Sequence, residues 1–229
     1  MSRTIPDVVA QVTDTMSSYA GPWALCGGWA IDAWLGETTR THLDVDILIA
    51  HDDQRAIFEH LRGWHLAAHD AEIFDGGEGW DGSELSYPAH VHGRPAGQHN
   101  RELLRQWVNS PYTAPTDDEP NLEVVFDLLS DGELVLSTDP VLTVPWERAV
   151  ATSGWGVPTV VPELLLFWKA TAYFDLATRA SRNPKDAEDF AALAPRLGEE
   201  ARAWLCDAIA LFHRDHAWLD QLTGQAGNR

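Results

Sequence analysis

The amino-acid sequence predicts an α+β fold that ends in a helical segment. A short apolar run at 23–26 leads through two glycines into a helical pattern, and a second apolar run at 45–50 is typical of a strand. A further strand is predicted at 121–129, which is rich in β-branched and aromatic residues. The last third of the chain has helical apolar spacing. We therefore expect one domain over residues 1–157 and a helical domain over residues 158–229.

Charge is the dominant compositional feature of the chain. Its 229 residues include 16 Lys and Arg against 35 Asp and Glu, a net charge of −19. Such a surface serves solubility, repels nucleic acid and anionic membranes, and attracts cationic small molecules. The two cysteines, Cys26 and Cys206, form no Cys-x-x-Cys pair. With no signal peptide or membrane-length apolar run, we expect a cytoplasmic protein, as a monomer or a homodimer.

Two carboxylates begin the apolar run at 45–50. In a β-strand, residues i and i+2 point to the same face, so Asp44 and Asp46 are predicted side by side with Val45 turned into the core. Two adjacent carboxylates repel each other unless a cation lies between them. Oxygen ligands suit a hard divalent ion, and Mg²⁺ is the usual choice beside phosphate.

A glycine pair precedes these carboxylates and changes their interpretation. An Asp-x-Asp pattern alone is most often a solvated strand end. Here Gly27 and Gly28 stand between the run at 23–26 and a helical pattern. Backbone N–H groups at a helix start bind anions, and glycine lets a phosphate approach closely. The combination predicts a triphosphate and a metal ion at one edge of a small sheet.

The order and spacing of about twenty residues are specific. The pattern runs through Gly27-Gly28-Trp29-Ala30-Ile31-Asp32, Leu35-Gly36 and Thr39-Arg40-x-His42-x-Asp44-x-Asp46-Ile47. It resembles the opening of the nucleotidyltransferase superfamily with the DNA polymerase β-like fold, and within it the aminoglycoside 2''-adenylyltransferase and lincosamide nucleotidyltransferase branch. The resemblance implies a mixed sheet with flanking helices and a small C-terminal helical bundle. Many members have Gly-Ser after the first strand; here the second glycine leaves phosphate binding to backbone N–H groups.

The resemblance also implies a third carboxylate on a strand beside the Asp-x-Asp pair. Glu123 matches its position, where the branch usually has Asp. Asp127 is the alternative, because residues 123 and 127 share one face of the predicted strand. If neither residue has a role in catalysis, each is simply an exposed polar position in a half-buried strand. The Asp131-Gly132 turn that follows predicts a hairpin from this strand into residues 134–136.

The resembled family implies transfer of AMP, or another nucleoside monophosphate, from ATP or another nucleoside triphosphate to a hydroxyl of a small molecule. Asp44 and Asp46 are expected to hold one Mg²⁺, and both with Glu123 a second. Glu123 is also the candidate to take the acceptor's proton. An aminoglycoside or lincosamide antibiotic is the expected acceptor. The alternatives are transfer to a protein hydroxyl, as in toxin–antitoxin systems, and a non-catalytic nucleotide-binding protein of the same fold.

Several residues are expected to hold the nucleotide. Gly27, Gly28 and Trp29 would supply backbone N–H groups, and Arg40 a cation. Arg40 is equally suited to pair with Asp32 or Glu37 and hold the turn.

Two lysines of the predicted C-terminal helices match cations of the resembled branch. The helices are predicted from Pro162 through Tyr173 and from the Asn183-Pro184 cap onward. Their lysines, Lys169 and Lys185, are expected at the nucleotide. A lysine in the setting of Lys169 is more often a snorkelling surface residue, and Lys185 is alternatively part of an exposed ion-pair face with Asp186 and Asp189.

A histidine pair lies at the end of a strand predicted at 85–91. His90-x-His92 has the spacing of a metal-binding pair, but the sequence shows no third nitrogen or sulfur ligand nearby. A polar strand face is the favoured interpretation.

Overall fold

The structure is a computed structural model. It describes residues 4–70, 79–97, 101–104, 120–138, 140–171 and 184–224. Tyr173 and Asn183, predicted to end one helix and cap another, lie outside these ranges. The chain divides into a first unit, Met1–Thr159, and a second unit, Val160–Arg229, against the expected boundary after residue 157.

Ten strands occur within the described residues. In chain order they are β1 (Trp23–Leu25), β2 (Val45–Ala50), β3 (His65–Asp70), β4 (Ala89–Arg94), β5 (Leu122–Asp127), β6 (Leu129–Ser130), β7 (Glu133–Thr138), β8 (Val141–Pro145), β9 (Val150–Thr152) and β10 (Pro158–Val160). Seven of them form one mixed sheet in the order β3-β4-β5-β2-β1-β10-β9, and the other three form the sheet β6-β7-β8. The central pair, β2 and β5, is parallel, whereas β4 runs antiparallel to β5.

Helices are interspersed with the strands in the first unit, and the second unit is mainly helical. The first unit contains α1 (Asp7–Met16), α2 (Gly27–Leu35), α3 (Gln54–His60) and α4 (Trp146–Ala149), and residues 101–104 are also helical. The second unit contains α5 (Pro162–Thr171), α6 (Pro184–Leu193), α7 (Glu199–Phe212) and α8 (Ala217–Leu222). In the part of the chain that the structure describes, none of the helices has the length and apolar character needed to cross a membrane. The predicted α+β fold with a helical C-terminal part is confirmed.

The apolar core fixes which residues of β2 and β5 share a face. Val45, Ile47 and Ile49 of β2 are buried, as are alternate residues of β5 that include Val124 and Phe126. Burying each such side chain contributes about 1.5–3 kcal/mol. A slip of one residue would move these side chains out of the core, so the core also holds the intervening residues of β2 and β5 on the opposite face.

Two local predictions are wrong. The strand expected at 85–91 begins only at Ala89, because the backbone N–H and C=O of Leu85 are hydrogen bonded to the side chain of Gln54 instead of to a strand. The strand predicted at 121–129 is also interrupted: the Asp131-Gly132 turn does form the predicted hairpin, but between β6 and β7 of the second sheet. That strand ends at Asp127, whose Oδ1 accepts a hydrogen bond from the N–H of Leu128.

An ion-pair cluster joins two helices of the second unit. Nζ of Lys169 on α5 lies 2.8 Å from Oδ1 of Asp186 and 2.8 Å from Oδ2 of Asp189, both on α6. Burial alone would lower the pKa of the ammonium, but Asp189 and Asp186 outweigh it and raise the pKa above its ordinary value. Lys169 therefore has partners within the second unit, and its expected contact with a nucleotide stays a prediction.

Replacing Lys169 by Met should destabilise the protein by about 3 kcal/mol at neutral pH, because two carboxylates lose their counter-charge. Asp186→Asn is the matched control and should cost less, since it leaves the Lys169–Asp189 pair intact. The raised pKa means that the contribution is complete below about pH 10 and is lost only as the pH rises through the folded-state value. Urea denaturation measures both variants. Equal stability of the two variants would contradict this role for Lys169.

Candidate active site

The structure brings the three predicted carboxylates together. Asp46 on β2 is the direct neighbour of Glu123 on β5 in the parallel ladder, and Asp44 precedes β2 on the same face. One oxygen from each of the three side chains lies within 4.8 Å of the others. All three are half-buried, so the cluster is open to small molecules.

Asp127, the alternative third carboxylate, lies at the other end of β5. It is fully buried opposite Ala50. Its Oδ1 accepts hydrogen bonds from the hydroxyl of Tyr87, at 3.1 Å, and from the N–H of Leu128, at 2.9 Å. Of the two candidates, Glu123 is the one that lies with Asp44 and Asp46.

The negative charges of the cluster favour binding of a cation. Burial raises the pKa of Glu123 well above its ordinary value, and the negative charges of Asp46 and Asp44 raise it further. Three carboxylates this close cannot all be ionised without a positive charge among them. Their ligand atoms are all oxygens, the ligands that Mg²⁺ takes in proteins, so the residues present fit that ion.

Gly27 places the start of α2 directly against Asp46. Its φ is +61°, which side chains rarely adopt, and a Cβ atom at this position would lie 1.8 Å from Oδ2 of Asp46. The N–H of Cys26 donates to the backbone oxygen of Asp46 at 2.9 Å. The N–H groups of the first turn of α2, which no helical carbonyl accepts, therefore begin beside the carboxylates.

Gly28 makes room for a chain of hydrogen bonds. A Cβ atom there would lie 2.3 Å from Nδ1 of His42. Nη1 of Arg40 donates to that nitrogen at 2.9 Å, and Nε2 of His42 donates to Oδ2 of the buried Asp32 at 2.6 Å. A guanidinium can only donate, which fixes the His42 tautomer. The N–H and hydroxyl of Thr39 also donate to Asp32. Arg40 thus reaches Asp32 through His42, and its expected phosphate contact stays a prediction.

Trp29 packs into this region through its indole ring. The ring is buried, with its centroid 4.4 Å from that of His42 and 6.2 Å from that of Trp155. Its side chain is thus used in packing, and any nucleotide contact of Trp29 falls to its backbone N–H.

Sequence reasoning missed a clamp around Asp44. Asn121 lies just before β5 and donates from Nδ2 to the backbone oxygen of Leu43 at 2.8 Å. The backbone oxygen of Asn121 accepts a hydrogen bond from the N–H of Val45 at 2.7 Å. Its Oδ1 accepts a hydrogen bond from the fully buried Arg94. Asn121 thereby holds both neighbours of Asp44. No motif marks it, and only the parallel pairing of β2 and β5 brings it there.

The fold is similar to that of an antibiotic-resistance factor and of a lincosamide antibiotic adenylyltransferase. The antibiotic-resistance factor ANT(2'')-Ia, in its solution structure, aligns with a TM-score of 0.53 and 17% identity, over 95% of this chain and 96% of that one. The lincosamide antibiotic adenylyltransferase LnuA, in its lincomycin-bound crystal structure, aligns with a TM-score of 0.50 and 14% identity, over 83% of this chain and 96% of that one.

The sequence match is more specific than the fold. Residues 8–70 match the family model of aminoglycoside-2''-adenylyltransferase, a range that includes the glycine pair and the Asp-x-Asp pair. The resemblance to that branch of the nucleotidyltransferases is therefore confirmed. Among curated protein sequences, none matches the chain significantly.

Gly27→Ala should damage the site more than a comparable glycine replacement elsewhere. Gly156 also has a positive φ, of +79°, but no atom lies within 4 Å of a Cβ atom there. Gly156→Ala should therefore cost about 1 kcal/mol of backbone strain. Gly27→Ala adds displacement of Asp46, which should cost about 1–3 kcal/mol more and weaken Mg²⁺ binding. Thermal unfolding with and without Mg²⁺ compares the two variants, and equal effects would refute the close approach.

Glu123→Gln should stabilise the metal-free protein while reducing its response to Mg²⁺. Removing one of three crowded carboxylates relieves their mutual repulsion, so the metal-free variant should unfold at a higher temperature than the wild type. The same change removes a ligand, so Mg²⁺ should raise the unfolding temperature of the variant less than that of the wild type. Asp127→Asn is the control, because it should lower stability without altering the Mg²⁺ response. A full Mg²⁺ response in Glu123→Gln would exclude Glu123 as a ligand.

Proposed function

We propose that the protein is a Mg²⁺-dependent nucleotidyltransferase that moves AMP from ATP to a hydroxyl group of an aminoglycoside or lincosamide antibiotic. The observation that carries the proposal is the position of Asp44, Asp46 and Glu123 beside the glycine-started helix α2. A metal-binding cluster and a phosphate-binding helix start at one sheet edge are what nucleotidyl transfer needs. The family match over residues 8–70 supports the same reaction.

In this proposal the first turn of α2 binds the triphosphate. The N–H groups of Gly27, Gly28 and Trp29 donate to phosphate oxygens, and the helix dipole favours their negative charge. Arg40 supplies a cation next to this turn, held in place by its hydrogen bond to His42. Lys169 and Lys185 are proposed as further phosphate contacts, on the basis of the resemblance alone.

Asp44, Asp46 and Glu123 would hold the Mg²⁺ ions. When bound, these ions neutralise the charge that develops on the phosphate oxygens and lower the pKa of the acceptor hydroxyl. Glu123 accepts the proton of that hydroxyl, and the freed oxygen forms a bond to the α-phosphorus. The bond from the α-phosphorus to the bridging oxygen breaks, and pyrophosphate leaves. Asn121 and Gly27 keep Asp44 and Asp46 in place throughout, so the residues contribute mainly positioning and charge.

The acceptor is proposed from charge and from likeness. A net charge of −19 attracts cationic molecules and disfavours nucleic acid as an acceptor. Aminoglycosides are polycations rich in hydroxyl groups. LnuA, of similar fold, was solved with lincomycin bound, which brings lincosamides into the same panel.

The proposal is tested by measuring pyrophosphate release from ATP in the presence of Mg²⁺, with each member of a panel of aminoglycosides and lincosamides as the acceptor. One class should stimulate release, and mass spectrometry should find AMP joined to the antibiotic. Asp46→Asn should reduce the rate about a hundredfold or more, since it removes charge at the reacting centre. Asp127→Asn, a matched change at the far end of β5, should keep most of the activity.

No antibiotic-dependent release, or equal loss in both variants, would contradict the proposal. AMP found instead on a co-purifying protein would identify the protein-modifying alternative.

A further inference from the structure

We propose that His90, His92 and Glu123 form a second metal-binding site, which takes a divalent transition-metal ion with the ligand preferences of Zn²⁺. Binding at this site needs neither nucleotide nor acceptor, so the inference goes beyond the proposed function. Among the described residues, one other group of potential ligands is clustered as closely, the three carboxylates already discussed.

Strand pairing assembles the three side chains. His92 on β4 is the direct partner of Glu123 in the antiparallel ladder with β5, and His90 lies two residues earlier on the same face. Nδ1 of His90 is 3.9 Å from Oε1 of Glu123, and Nδ1 of His92 is 4.0 Å from Oε2. The third ligand that the linear sequence does not show is therefore supplied by the neighbouring strand.

These distances are close to those of a metal centre. Ligand atoms about 2.1 Å from a tetrahedral Zn²⁺ lie about 3.4 Å from one another. The ligand atoms of the three residues lie within 4.8 Å of one another, so small side-chain rotations complete the geometry. The two imidazole rings already differ in orientation by 72°, with centroids 5.0 Å apart, so they can approach one ion from different directions.

The ligand set selects the class of ion. Imidazole nitrogen suits Zn²⁺ and its neighbours in the transition series, whereas Mg²⁺ prefers oxygen throughout. Two histidines and one carboxylate leave a fourth position of a tetrahedral ion for water or substrate. His90 is 37% exposed, His92 10% and Glu123 19%, so an ion enters from the His90 side. Because β4 is hydrogen bonded to strands on both sides, the ligands stand on a rigid support.

Glu123 belongs to both clusters. Asp44, Asp46 and Glu123 offer a site of oxygens, and His90, His92 and Glu123 a site of mixed ligands, with the Glu123 carboxylate shared between them. The same distances would arise if the histidines were protonated and paired with Glu123 as cations. Metal binding separates the two interpretations, because protonated imidazole cannot bind a metal ion.

Titration of the metal-free, full-length protein with Co²⁺, a spectroscopic substitute for Zn²⁺, tests the site in the presence of millimolar Mg²⁺. The visible absorption of four-coordinate Co²⁺ should appear and saturate at one ion per chain, and Zn²⁺ should abolish it. His90→Asn and His92→Asn should each weaken binding by at least about tenfold, the least that loss of even an outer-shell partner costs. His65→Asn is the matched control on β3 and should bind as the wild type does. Circular dichroism checks that each variant is folded.

Absence of saturable Co²⁺ binding, or binding unchanged in the His90→Asn, His92→Asn double variant, would overturn the site in favour of the ion pair. Asp44→Asn, Asp46→Asn is the second control and should keep Co²⁺ binding while losing the Mg²⁺ response. If this variant loses Co²⁺ as the histidine variants do, the ion lies among the carboxylates and the inference is wrong. A protein that binds Co²⁺ through the histidines but transfers no AMP would refute the proposed function and leave this site standing.

Discussion

The parallel pairing of β2 with β5 is the constraint on which the site depends. It sets Asp46 beside Glu123 and brings Asn121 against the residues on either side of Asp44. The pairing is held by the buried apolar residues on the other face of both strands, such as Ile47 and Val124. The carboxylates repel one another, so the free energy that keeps them together comes from that core and not from the site itself.

The glycine pair couples this sheet edge to α2. Gly27 lets the start of α2 approach Asp46, and Gly28 lets it approach His42, so each glycine is required by a particular side chain. The buried carboxylate of Asp32 then holds the loop that carries Arg40 through His42 and Thr39. The start of α2 and the carboxylate-bearing end of β2 are in this way held together, so a change in either should displace the other.

Local patterns in the sequence were sufficient for much of the fold. The helix starts at Pro162 and Pro184, the strand at 45–50 and the shared face of Asp44 and Asp46 follow from patterns along one segment. The histidine–glutamate cluster and the Asn121 clamp did not follow, because each joins residues on different strands whose register the sequence does not state. The second sheet was missed for a related reason, since Asp127 ends β5 through a side-chain hydrogen bond that interrupts an otherwise continuous strand pattern.

Calorimetric titration with a non-hydrolysable ATP analogue tests the central claim, that the carboxylates and α2 form one nucleotide–metal site. The wild type should bind the analogue with Mg²⁺ and far more weakly without it. Asp44→Asn, Asp46→Asn should lose the Mg²⁺-dependent part of the affinity, because the ion joins the triphosphate to those residues. Binding that is independent of Mg²⁺, or that the double variant retains in full, would contradict the account.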